Sequence, residues 1–301
     1  MNRAQIISIL SIILFLILIF AYAGADSQPE IAIENDFGSY WYQGKAELSR
    51  YDLHQVRYGQ IHNGDAVLIF VTEDFLPEKQ VKYEYGPAPD NLAKVLKLNF
   101  TRKFYTGIYP YSMMSSVFTP LNESRTFKVT TTVQEWCGHT FLQLNARKDK
   151  YHGRLYSYFQ GEGDSEFELD NVILEDEVWT KLRLNPGNLP IGEIKIIPGT
   201  QYQRLLHIEP AVHQAVTTMN SMKNGHSEYR IEYSSLKRSL IIRFDSEFPH
   251  QISEWEEIHE PVLGQGNMMI TRATRTNSIL LDYWNKNRIE DKVLLDQLGL
   301  N

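Results

Sequence analysis

The chain has 301 residues, 43% of them hydrophobic, a formal net charge of -7 and one cysteine, Cys137. A single cysteine excludes a disulfide framework within the chain, and the acidic balance argues against nucleic acid or an anionic membrane surface as the main partner. Some 276 residues follow the first 25, enough for one large β domain or two small ones with a substantial core.

Ile6 to Tyr22 is an almost unbroken apolar run behind Arg3, ending in Ala21-Tyr22-Ala23 with Ala25 close behind. The pattern is that of an export signal. Its length of about 17 residues lies between a cleavable signal and a spanning helix, so residues 1–25 read either as a signal peptide or as an N-terminal anchor. No cysteine lies near the junction to carry a lipid. The expected location is outside the cytoplasm, in the periplasm or cell envelope, with membrane contact only through this segment if it is uncleaved.

Residues 26–301 read as one large, mostly β domain, with a possible subdivision near 198–210. Ala46 to Tyr58 alternates imperfectly, and Asn63-Gly64 after it is a strong hairpin signal. Ala66 to Thr72 is an apolar strand, Val81 to Tyr85 a short one, and Ala93 to Thr101 resumes the pattern after Gly86-Pro87. The tyrosine- and methionine-rich stretch from Tyr105 to Pro120 reads as a kinked core strand or as the wall of an apolar groove. Phe127 to Val133 alternates cleanly, the chain continues through Trp136 into Phe141 to Leu144, and Tyr151 to Phe159 is aromatic. The spacing of Leu174, Val178 and Leu182 predicts a helix over Glu175 to Leu184, with acids in its first turn and bases in its last. Asn185-Pro186-Gly187 stops it, and Gly192 to Ile197 is a strand. Gln201 to His207 reads as an extension of the sheet, and Glu209 to Met222 is ambiguous between helix and strand. Strands follow at Tyr229 to Tyr233, Ser239 to Phe244, Asn267 to Thr276 and Ile279 to Trp284, then a short amphipathic helix within Arg288 to Leu298. The fold class is mainly β: a large curved antiparallel sheet or half-barrel with a helix near Glu175–Leu184 against its concave face. One short helix cannot cover so wide a face, which would leave a concave apolar surface.

Three chemistries come into question. Cys137 and His139 suggest a thiolate–imidazolium pair, with Glu135 orienting the ring. In a continuous strand the two would share a face about 6–7 Å apart, too far for a hydrogen bond without a bend. The more common reading is a buried thiol beside a structural histidine. The nine histidines form no H-x-H or H-E-x-x-H, and one cysteine permits no C-x-x-C, so no metal site is expected. The acidic clusters Glu73-Asp74, Glu175-Asp176-Glu177 and Glu254 with Glu256-Glu257 could supply a carboxylate pair, but such clusters are common on solvated faces. Neither a G-x-G-x-x-G nor a Walker or G-x-S-x-G motif occurs, and no cofactor is expected.

Phe37 to Tyr42, Leu98 to Thr119, Val133 to Thr140, Leu174 to Trp179 and Leu281 to Trp284 form a set of distinctive segments. Together they resemble an uncharacterised family of exported proteins from Bacteroidetes that are often labelled septum formation inhibitor Maf. That label implies a cytoplasmic nucleotide pyrophosphatase with a Ser-rich, Arg-containing loop after its first strand. Here Ala66 to Thr72 leads into Glu73-Asp74-Phe75, so the activity is not carried over. Leu174 to Arg183 followed by Leu189 to Gly199 is loosely similar to exported half-barrel carriers of lipids and lipoproteins.

These readings favour a noncatalytic envelope protein that binds or carries an apolar or amphipathic ligand such as a lipid. The expected wall is Tyr109, Tyr111, Met113, Met114, Trp136, Val178 and Trp179. An exported hydrolase using Cys137 with His139 or paired carboxylates is the alternative. A structural or protein-interaction module of the envelope is a third reading.

Overall fold

The computed structural model describes residues 36–123, 125–260 and 268–300; the apolar run of residues 6–22 lies outside them. Sixteen strands of the described residues form one sheet. In chain order they are β1 (Ala46–Arg57), β2 (Gln60–Leu76), β3 (Val81–Lys82), β4 (Ala93–Thr106), β5 (Tyr109–Pro120), β6 (Lys128–Glu135), β7 (Gly138–Arg147), β8 (Lys150–Ser157), β9 (Ser165–Asp170), β10 (Ile173–Leu174), β11 (Gly192–Ile197), β12 (His213–Ser221), β13 (His226–Tyr233), β14 (Arg238–Asp245), β15 (Ile252–His259) and β16 (Met269–Leu281). The helices are α1 (Phe37–Trp41), α2 (Glu175–Leu184), α3 (Thr200–Leu206) and α4 (Val293–Leu298).

The sheet runs from β10 through β16, then β1, β2 and β4 to β9, with β3 on β2. Neighbours are antiparallel except β10 and β11, which are parallel. The two ends of this path, β9 and β10, are consecutive in the chain and separated only by Asn171 and Val172. Asp170 and Ile173 are therefore at most about 11 Å apart. The sheet must wrap round until its edges meet at one interrupted segment, giving a partly closed barrel.

Alternation decides which side chains enter the lumen. In β5, Tyr111, Met113, Ser115, Val117 and Thr119 are buried, while Ser112 and Met114 are exposed. The outer face carries ion-paired side chains, with Arg243 on Glu228 at 2.9 Å and Arg272 on Glu256 at 2.8 Å. Lys94 reaches Asp74 at 2.8 Å on another part of it. Such an exterior suits water rather than hydrocarbon. None of the described helices is long and apolar enough to cross a membrane.

α2 and α3 lie inside the wrap. Trp179 meets Phe100 of β4 at 5.1 Å and Trp255 of β15 at 5.3 Å between ring centroids, and those two rings meet each other at 5.3 Å, so the helix packs where two non-adjacent strands converge. Nine of the ten residues of α2 are buried; Lys181 alone is not. The sequence shows one apolar stripe because the other faces of the helix are buried through polar groups with partners. The concave surface expected to stay open is occupied. The reason is a second helix, α3, where an extension of the sheet was expected at Gln201 to His207. The stretch from Glu209 to Met222 resolves as strand β12, as its β-branched residues favour.

Other differences are local. The first hairpin turns at Tyr58-Gly59, both with positive φ (52° and 71°), the two-residue geometry that fits strand twist. Asn63-Gly64 continues straight inside β2. Gly64 is needed there for closeness: a Cβ would stand 2.1 Å from the Lys103 carbonyl oxygen on β4. Gly64→Ala is expected to cost about 1–3 kcal/mol by overpacking, read as a lowered thermal midpoint. The last strand ends at Leu281, and residues 283–285 form a 3-10 turn instead of extending it.

Candidate functional site

The catalytic candidates fall at a hairpin tip. β6 ends at Glu135 and β7 begins at Gly138, paired with each other, so Trp136-Cys137 is a two-residue turn rather than strand. Cys137 is exposed, not buried as a lone thiol was expected to be. His139 is exposed as well. The Glu135 carboxylate accepts the Cys137 backbone N–H at 2.7 Å. Hydrogen bonding to Glu135, together with its charge, pushes the thiol pKa up. A nucleophilic cysteine needs the opposite shift.

The acidic clusters have structural partners. Glu73 faces Lys97 at 3.2 Å, and Glu256 pairs with Arg272. Glu175 accepts Arg238 at 2.7 Å and the Tyr233 hydroxyl at 2.6 Å. Glu177 returns to the Leu174 N–H at 3.3 Å, capping its own helix, and accepts the Thr126 N–H at 3.1 Å and Lys181 at 2.9 Å. Glu257 lies between Arg102 and Arg238. Among the described residues, no group of three or more His, Cys, Asp or Glu converges to hold a metal.

These contacts lock the two helices into the lumen. Arg183 of α2 grips Glu47 of β1 in a two-pronged bond at 2.6 and 2.7 Å, both side chains 1% exposed. Burial works to raise the Glu47 carboxyl, but Arg183 outweighs it and holds the pKa below the ordinary range. Thr180 meets Thr119 at 2.6 Å, and Thr200 of α3 meets Thr131 of β6 at 2.5 Å. Asp176 accepts the Thr200 N–H at 2.9 Å and its hydroxyl at 2.8 Å, tying α2 to α3.

The buried carboxyls give the lumen two opposite pH responses. Burial pushes Asp176 from 3.8 up to about 7, against the pull of the Thr200 hydrogen bonds. A raised acid favours the folded state fully below its ordinary value, and that contribution is lost as pH rises through about 7. Burial also works to raise Glu257, but the Arg102 and Arg238 charges win and hold it at about 2. Its contribution is present above 4.5 and lost as pH falls through about 2. Asp176→Asn, which keeps an oxygen for the Thr200 N–H, should therefore lack the loss of stability that Asp176 contributes in the wild type between about pH 4 and pH 7. Urea midpoints across that range check this; parallel curves would refute it.

The seven expected wall residues divide among three places. Tyr111, Met113, Val178 and Trp179 are buried in the packed lumen. Met114 points outward from mid-β5. Tyr109 and Trp136 stand at the sheet margin, their rings stacked at 6.3 Å. The seven do not form one wall, because alternation sends Met113 and Met114 to opposite faces. Surface clefts at Asn145 to Glu168 and at Asn122 to Lys181 are lined by other residues.

What the fold does bring together is a margin. The turns 58–59, 107–108, 136–137 and 158–164 all lie on one side of the sheet, because alternate hairpins of an antiparallel run share an edge. Each presents a large side chain: Tyr58, Ile108 (81% exposed), Trp136 (68%) and Tyr158 (77%), with Tyr105 (64%) beside them. Tyr58 and Tyr158 are held in place from beneath. The Tyr58 hydroxyl bonds those of Tyr111 at 2.9 Å and Tyr109 at 3.3 Å, and Arg57 lies over the Tyr58 ring at 4.4 Å. Burial works to raise the Tyr58 phenol, but Tyr109, Tyr111 and Arg57 outweigh it and lower its pKa. Tyr158 covers Gly138 so closely that a Cβ there would meet its ring at 2.8 Å. A shallow cleft of about 520 Å³ continues the margin on the other side of Tyr58, between His54, Ile61, Met269 and Ile270.

Sequence reasoning missed Tyr58, Tyr105, Ile108 and Tyr158. The available signal was a large apolar residue recurring at or beside turn glycines, where turns ordinarily place small polar ones.

No protein-family model and no curated protein sequence matches the chain. The likeness to the family labelled septum formation inhibitor Maf stays a resemblance of segments. A solved structure, the beta-barrel-like protein of domain of unknown function DUF1849 from Brucella abortus, is similar at 7% identity. The match covers 78% of this chain and 98% of that one, with a TM-score of 0.46.

Proposed function

We propose that this is a noncatalytic protein of the cell envelope that binds an apolar or amphipathic ligand at the hairpin margin rather than in the lumen. The observation that carries the reading is the contrast between the two surfaces. The lumen is filled by α2 and α3, whereas exposed Tyr58 and Trp136, each in contact with half-buried Tyr109, form a supported aromatic platform. Rigid aromatics with polar edges suit a ligand that is apolar at one end and polar at the other. Calorimetry with lysophosphatidylcholine below its critical micelle concentration tests it. Saturable binding weakened about tenfold in Trp136→Ala is expected, since a side chain of that size contributes on this scale. Wild-type affinity in that variant, or no binding at all, would overturn it.

The filled lumen also favours a second reading, a protein-interaction module of the envelope. A photo-crosslinker attached to Cys137 separates the two, by lipid adducts against protein adducts.

A further inference from the structure

Resting on that reading, we infer that the hairpin margin docks the protein on the interface of a phospholipid bilayer, so that the amphipathic ligand is met as a surface. Extent is the first argument. From Ile270 on β16 to Tyr158 after β8 the margin crosses eight neighbouring strands. At about 4.8 Å per strand this is an arc of roughly 30 Å. A single small ligand touches two or three hairpins of such an arc, whereas a plane of lipid meets all of them.

Chemistry is the second argument. Tyrosine and tryptophan place an apolar ring and a polar tip at the depth of the headgroups, and Ile108 at the β4–β5 tip adds a wholly apolar anchor. Charge is the third. Arg57 rests on tyrosine rings, Lys103 is exposed next to the Tyr105 side of the margin, and neither forms an ion pair among the described residues. Two cations without carboxylate partners complement lipid phosphates. The whole-chain charge of -7 opposes a strongly anionic surface, so the fit is to zwitterionic lipid.

Cys137 allows a direct test in the full chain, because it is the one cysteine and lies exposed at a margin tip. A polarity-sensitive fluorophore on it reports on the margin, whatever the N-terminal residues do. With phosphatidylcholine vesicles, emission should rise, shift to the blue and be quenched by lipids brominated near the headgroup. The double variant I108S/Y158S should need about tenfold more lipid or beyond for the same response. Met114→Ser, on the outer face away from the margin, should respond as wild type, and circular dichroism checks that all variants are folded. An undiminished response in I108S/Y158S overturns the assignment. No response to vesicles, with calorimetric binding of monomeric lysophosphatidylcholine intact, overturns bilayer docking and leaves the proposed function standing. Failure of both ligands overturns both.

Discussion

Replacing Arg183 by methionine should destabilise the protein by about 3–5 kcal/mol, the cost of leaving a buried charge without its partner. Glu47 is 1% exposed and receives both guanidinium prongs of Arg183. Tyr40 at 2.5 Å and Gln251 at 3.1 Å also bond that carboxylate, but neither supplies positive charge. The guanidinium does more than pair. Its third contact is the Pro249 carbonyl at 2.8 Å, and it lies over the rings of Trp41 and Phe70. It thereby joins α2 to α1, to β2 and to the β14–β15 turn. The double variant Arg183→Met/Glu47→Met removes both charges and should recover a large part of the loss. Urea unfolding measures both variants. A single variant within about 1 kcal/mol of wild type would mean that Glu47 finds water or another cation, and that the pair does not hold α2 in the lumen.

Trp179→Ala should be similarly damaging, about 3–5 kcal/mol, for a different reason. Its ring touches Phe100 of β4 and Trp255 of β15, which also touch each other, and Trp255 in turn meets Tyr51 at 4.8 Å. Truncation opens a cavity in an aromatic cluster between helix and sheet, and close-packed surroundings relax into it only in part. Trp136→Ala should fall within about 0.5 kcal/mol of wild type, since its ring is 68% exposed at a turn. The two tryptophans read alike in the sequence as groove wall. Chemical denaturation of both variants distinguishes a filled lumen from an open one: equal small losses would indicate a solvated groove.

The curved, mainly antiparallel sheet is legible in the sequence, and so is α2, whose limits Glu175 and Leu184 follow from acids at one end and Asn185-Pro186 at the other. α3 was not, because Thr200 to Leu206 is short and polar, and its stability comes from the Asp176 and Thr131 contacts, which are distant in sequence. The first turn was misplaced because Asn63-Gly64 carries the stronger local signal, while the approach of Lys103 that fixes Gly64 inside a strand is nonlocal. The acidic cluster at Glu175-Asp176-Glu177 looked solvated for the same reason. Its partners Arg238, Thr200 and Thr126 come from β14, from α3 and from the loop between β5 and β6. The margin is a product of topology: its residues are unremarkable singly and become a surface only when alternate hairpins are placed side by side.

On the proposed function, ligand is met at the margin while α2 and α3 stay in the lumen. A lock between α3 and the wall tests it most directly. The Thr131 and Thr200 hydroxyls are 2.5 Å apart, so cysteines at the two positions, in a Cys137→Ser background, stand close enough to bridge. The oxidised protein should bind lysophosphatidylcholine with the affinity of the reduced form. Binding lost on oxidation and restored by reduction would contradict the account, because it would show that the helices must leave the lumen to admit the ligand.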